Sequence, residues 1–172
     1  MKPSGDVRQA LPEHPVPEGA RQATRRPALR IDGLAEEART VRPADLAGLA
    51  RVDMVDTFEC EEGWQVQHLT WRGVRLWDVL GLGRTRPEAR YVRVSSGGYA
   101  VPLPLADAER ALLAEALNGQ PLSLEHGGPW RLVMPGGVCF TGVKWVDHLQ
   151  LTLEPGEDSG QAIARARLSK GD

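Results

Sequence analysis

Apolar residues recur along this chain at two spacings, every second position and every third to fourth, and the alternation between them marks out the elements. Leu29 and Ile31 ahead of the Asp32-Gly33 bend predict a strand over residues 28–34. Pro43 opens a short helix over 43–50, because proline is tolerated at the first helical position and Leu46 and Leu49 share a face. Strands follow over 52–60 and 66–71, with Gly63 in the link. Leu76, Val79 and Leu80 give a packing helix over 75–82. Gly97-Gly98 joins predicted strands 91–95 and 99–103 as a hairpin. Leu105, Ala108, Leu112 and Ala116 form an apolar stripe that predicts the longest helix, 105–117, stopped by Asn118-Gly119. Two more strands are expected at 130–134 and 143–153, the second with Trp145, Leu149, Leu151 and Leu153 on one face. Strands outnumber helices and their links are irregular, which predicts a mixed, strand-rich α+β domain.

Composition sets the limits of that domain. Residues 1–27 hold five of the thirteen prolines and few large apolar side chains, so a flexible arm is expected there, then one domain over 28–155 and a tail over 156–172. The net charge is -2, with 21 basic residues spread among 23 acidic ones, which argues against a nucleic-acid partner. No apolar run approaches the roughly 20 residues of a membrane span, and Arg25-Arg26 is followed by a charged stretch rather than an apolar export segment. A cytoplasmic location is therefore expected. Two cysteines, Cys60 and Cys139, neither build a disulfide framework nor fit zinc-ligand spacing. Taken alone, a cysteine at a strand end is usually a small buried hydrophobe.

The ordered motifs change that reading. Cys60-Glu61-Glu62-Gly63-Trp64 is followed by the run from Trp71 through Arg72-Gly73 to Leu80. Asn118-Gly119-Gln120-Pro121-Leu122, His126-Gly127-Gly128-Pro129-Trp130-Arg131 and Gly142-Val143-Lys144-Trp145 come later. Across residues 29–153 this set resembles the sulfite oxidase-like molybdopterin-binding domain, as a short single-domain member. The resemblance implies molybdenum-molybdopterin as cofactor and Cys60 as the protein ligand to the metal. A soft thiolate suits a redox-active transition metal, so the donor chemistry agrees. It further implies that Arg131 and Lys144 contact the cofactor with His126, that Gly142 and Val143 offer main-chain contacts, and that Ser95 and Ser96 lie near the metal. Cys139 and the tryptophans are expected to be packing residues, with Trp64 a possible wall of the pocket, while Arg131 and Lys144 are otherwise ordinary solvated charges.

What the resemblance implies for activity is oxygen-atom transfer to or from a small substrate such as a sulfur oxyanion or sulfoxide. Glu61 and Glu62 stand where animal and plant sulfite oxidases carry a Gly-Asn-Arg run, which speaks against sulfite itself. No haem, flavin or nicotinamide fingerprint is present, so a separate electron-transfer protein is the expected partner. The rival expectation is a non-catalytic cofactor- or partner-binding module on the same fold.

Overall fold

The computed structural model describes residues 6–8, 10–60, 62–137 and 139–169. In chain order the elements are β1 (Asp6–Arg8), α1 (Glu18–Ala23), β2 (Leu29–Gly33), β3 (Arg39–Val41), α2 (Pro43–Leu46), β4 (Arg51–Glu59), β5 (Trp64–Arg75) and α3 (Leu76–Gly81). They continue as β6 (Tyr91–Ser96), β7 (Tyr99–Pro104), β8 (Leu112–Leu117), β9 (Gln120–Pro121), β10 (Arg131–Val133), β11 (His148–Thr152) and α4 (Ser159–Leu168). The described strands form two mixed sheets, so the fold is α+β and strand-rich, as the pattern predicts. In one, the order is β3-β2-β11-β6-β7, with β2 and β11 parallel. In the other, β5 runs between β4 on one edge and β8 and β1 on its other, and β8 carries β10.

Two apolar clusters hold the sheets. The larger gathers Leu29, Ile31, Leu76, Leu80, Val92, Val94, Leu113, Leu132, Leu149 and Leu151. The smaller gathers Leu11, Trp64, Val66, Leu69, Trp71, Leu112, Ala114 and Val133. Neighbouring residues of β8 thus face opposite clusters, Leu113 one and Leu112 and Ala114 the other. This corrects the expected helix over 105–117, where only Leu105–Asp107 is helical, as a 3-10 turn. A strand covered on both faces reads as an unbroken apolar run and loses the period of two that identifies it. Asn118 and Gly119, with φ of 50° and 77°, make the two-residue turn between β8 and β9 rather than a helix stop.

The strand expected over 143–153 is shorter as well. Only His148–Thr152 pairs, because Trp145 turns the chain with a φ of 54°. Leu153 is 54% exposed and does not share the buried face of Leu149 and Leu151. At the other end, Asp6–Arg8 lies parallel to Trp64–Val66 and Leu11 is buried, so part of the expected arm packs on the domain. One apolar side chain and a strand edge provide contacts that a composition average over 27 residues conceals.

At Gly73 the register between β5 and β8 shifts, and a Cβ there would collide with the Leu113 carbonyl and stand 2.7 Å from Ala114 Cα. Both contacts are backbone, so a side chain cannot simply swing aside. Gly73→Ala is expected to cost about 1–3 kcal/mol. Urea unfolding read by circular dichroism checks this, and an unchanged midpoint would refute the close approach.

Candidate active site around Cys60 and Arg131

Cys60 is the first residue beyond β4, in the hairpin that leads to β5. Its main-chain N–H donates to the Trp64 carbonyl at 2.9 Å, and Gly63 N–H donates back to the Cys60 carbonyl at 2.9 Å. The backbone therefore fixes where the thiol stands without using the sulfur. Trp64 stacks on Phe58, ring centroids 5.7 Å apart, and closes the apolar side of the hairpin. Cys139, which begins the 3-10 turn Cys139–Thr141, brings its sulfur to 3.4 Å from Cys60 Sγ. Burial pushes the Cys60 thiol up to about 11, and Cys139 adds to the rise. Without a metal the thiol is protonated at neutral pH, and coordination would release that proton.

Arg131 begins β10 and is 4% exposed, which corrects the picture of a solvated charge. Its guanidinium carbon lies 5.2 Å from the Trp71 ring and 5.7 Å from the Phe58 ring. One Nη1 donates to the His126 carbonyl at 3.0 Å, whereas Nε is buried with no hydrogen-bond partner among the described residues. Burial pushes this guanidinium down to about 10, so it is still cationic at neutral pH. A buried cation with an unmet donor is costly to keep unless an anion completes it. This is the observation that tests the implied cofactor against the fold, and the donor set fits: a soft sulfur beside an incompletely satisfied cation.

Lys144 is the second cation. Gly127, with φ of 105°, lets the lysine stem pass so close that a Cβ there would stand 2.7 Å from Lys144 Cγ. Lys144 Nζ donates to the Glu125 carbonyl at 2.7 Å and stands 5.6 Å from the Trp145 ring centre. Desolvation, then the charge of Arg131, push its ammonium down to about 8. His126 holds Arg131 through its carbonyl, while its ring lies between Ser123 Oγ at 2.9 Å and the Leu11 carbonyl at 3.3 Å.

Gly142 N–H donates to the Cys139 carbonyl at 3.2 Å, and Gly142 lies against the Arg131 guanidinium. Val143 faces the core, 1% exposed, and ties its loop to β10 by accepting from Leu132 N–H at 2.9 Å. Cys60, Cys139, Gly142 and Arg131 thus form one continuous line of contacts. Ser95 and Ser96 stand at the end of β6, where the Ser95 carbonyl accepts from Asp147 N–H at 3.0 Å, joining that hairpin to the Lys144 loop.

Tyr99 and His14 went unnoticed in the sequence. Burial pushes the Tyr99 phenol up to about 12, with Cys139 adding to the rise, while Arg167 and Arg131 oppose it. His14 is pushed down by burial, then by Lys144, Arg167 and Arg131. Helix α4, which carries Arg167, packs on β7 and on the Cys139 turn. The structure also holds a cavity of about 290 Å³ between Trp77, Thr85, Arg86, Pro87 and Leu105, but neither cysteine nor either cation of the site lines it. Glu61, read with Glu62 as a barrier to anions, lies outside the described residues.

Known proteins are similar to this chain in sequence and in fold. The oxidoreductase YuiH of Bacillus subtilis is 34% identical over 129 residues, covering 73% of this chain and 65% of that protein. Sulfite oxidase of Arabidopsis thaliana is 27% identical over 165 residues, covering 74% of this chain and 42% of that protein. The crystal structure of the sulfane dehydrogenase SoxCD from Paracoccus pantotrophus superposes with a TM-score of 0.68 at 26% identity, over 76% of this chain and 39% of that one. The chain therefore spans less than two thirds of each of these proteins. No helix among the described residues is long and apolar enough to cross a membrane. The family described as oxidoreductase molybdopterin binding domain, whose cofactor is molybdenum-molybdopterin, matches residues 14–159, and this chain belongs to it.

Proposed function

We propose that this chain is the redox-active domain of an oxidoreductase that moves an oxygen atom to or from a small substrate, a sulfur oxyanion or a sulfoxide. Bound molybdenum-molybdopterin supplies the two-electron redox centre. The reading rests on one observation above the others: Arg131, 4% exposed and with an unmet Nε, stands on the same line of contacts as the half-buried Cys60 thiol.

In this reading Cys60 gives up its proton and holds the metal as a thiolate. Arg131 and Lys144 together neutralise the anionic part of the cofactor, and the Gly142 and Val143 main chain and His126 set the loops against it. Ser95 and Ser96 border the site from the β6–β7 hairpin. Phe58, Trp64 and Trp71 exclude water from its apolar side, which strengthens every charge interaction inside. In this reading electrons pass to a separate carrier protein.

The test is the full chain made in a host that synthesises the cofactor. Molybdenum is measured per chain, and turnover with an artificial electron carrier is followed on a panel of sulfite, thiosulfate and sulfoxides. Stoichiometric metal and turnover of a panel member are expected. Loaded protein that is inert on the whole panel would favour the non-catalytic module.

A further inference from the structure

We propose that Cys60 and Cys139 form a reversible disulfide in the metal-free protein, so that the metal-binding sulfur is itself an oxidative modification site. These are the two cysteines of the sequence, and the fold brings them together across 79 positions with their sulfurs 3.4 Å apart. Both are free thiols and both are half-buried, so a small oxidant reaches them. A disulfide requires a sulfur separation of about 2.05 Å, so closure asks for a shift of about 1.4 Å. Cys139 follows the turn at Gly136 and Gly137, outside any strand ladder, and the Cys60 side chain can rotate about its Cα–Cβ bond while the hairpin hydrogen bonds hold its backbone in place.

The chemistry needs one co-reactant, a peroxide. One cysteine, reacting as its thiolate, attacks hydrogen peroxide: an S–O bond forms, the O–O bond breaks, and the hydroxide released recombines with the thiol's proton as the first water. The second thiol then attacks the sulfenic sulfur, the S–S bond forms, and the hydroxyl departs with the remaining thiol proton as a second water. Two thiols lose two electrons and two protons, and one peroxide becomes two waters. Contact at 3.4 Å makes the second step intramolecular, which favours it over further oxidation of the first sulfur.

The consequence rests on the reading of Cys60 as the metal ligand. A disulfide sulfur is no longer a thiolate donor, so the oxidised protein cannot take up the cofactor until a thiol reductant reopens the pair. Once the metal is bound, the Cys60 sulfur is engaged and the pair cannot close. The site is thus vulnerable to peroxide before loading and protected after it.

The experiment uses the full chain expressed without cofactor synthesis, treated with hydrogen peroxide and then freed of it. Free thiols should fall from two per chain to none, the intact mass should lose two hydrogens, and a non-reducing peptide map should show Cys60 joined to Cys139 within one chain. Dithiothreitol should restore both thiols, and Cys139→Ser should give no such cross-link. Protein loaded with the cofactor should resist the same treatment. Isolated molybdenum-molybdopterin offered to oxidised and re-reduced protein should load only the latter, read as molybdenum per chain. Two thiols surviving peroxide, or cross-links only between chains, would overturn the proposal while leaving the ligand reading intact. A disulfide that forms in a protein whose Cys60→Ser, Cys139→Ser double variant loads molybdenum with an unchanged absorption edge would instead overturn the ligand reading and its consequence for loading, and leave the disulfide standing.

Discussion

Cys60→Ser is expected to abolish oxidoreductase turnover in a protein that still folds. The main-chain bonds from Cys60 N–H to Trp64 and from Gly63 N–H to Cys60 hold the hairpin without the sulfur, so circular dichroism and the thermal midpoint should stay close to the parent. What changes is the donor. A neutral hydroxyl is harder and weaker than a thiolate, and the metal's redox balance depends on that sulfur. Cys139, 3.4 Å away, is the nearest replacement sulfur, so the Cys60→Ser, Cys139→Ser double variant belongs in the same experiment. X-ray absorption at the molybdenum edge should show one sulfur fewer in the double variant. Parental turnover and an unchanged absorption edge in both variants would remove Cys60 from the site.

Replacing Arg131 with Met should raise the stability of the metal-free protein and lower its capacity for cofactor. The guanidinium is 4% exposed and lies between Phe58 and Trp71 without a carboxylate partner among the described ion pairs. An apolar side chain of similar length keeps the ring contacts and removes a buried charge, an exchange worth about 1–4 kcal/mol in related cases and a few degrees in the midpoint. The same exchange loses a charge-assisted contact worth about 1.5–3 kcal/mol, or about ten-fold or more in cofactor affinity. Opposite signs from one substitution separate a binding residue from a packing residue. Calorimetry on metal-free protein and molybdenum per chain under cofactor-limited expression read the two effects. A destabilised variant with full occupancy would reverse the assignment.

Lys144 gives that clamp a pH dependence. Its folded-state value of about 8 lies below the ordinary 10.5, so between these limits the unfolded chain binds more protons and stability of the metal-free protein rises with pH. The cofactor's negative charge favours the protonated ammonium, so affinity should instead weaken as pH climbs through 8. Lys144→Met should flatten both trends.

Where the sequence spoke clearly, one local signal sufficed. Leu29 and Ile31 alternate before a Gly bend, and Tyr91–Ser96 and Tyr99–Pro104 flank a double glycine. Leu112 to Ala114 misled because burial on both faces erases alternation, and Trp145 broke a strand through a left-handed turn that tryptophan does not advertise. The motif order pointed to Cys60, Arg131 and Lys144 as site residues, but their environments were hidden. That Arg131 is sealed between two rings depends on Phe58 and Trp71 from other strands. The meeting of Cys139 with Cys60 depends on how two loops approach. Long-range contacts of this kind leave no local periodicity to read.

The parallel pairing of β2 with β11 fixes the order of events at the ribosome. Ile31 lies beside Leu149, so the strand made early stays without one of its neighbours until more than a hundred further residues have emerged. Such distant closure is slow relative to local hairpins. Meanwhile β4–β5 and β6–β7 join strands that follow one another directly and can form first. The loop bearing Lys144 comes to rest only when β11 docks, since Lys144 lies just ahead of that strand. Nascent chains stalled before residue 148 should therefore be protease-sensitive and unable to retain the cofactor, whatever their content of hairpins.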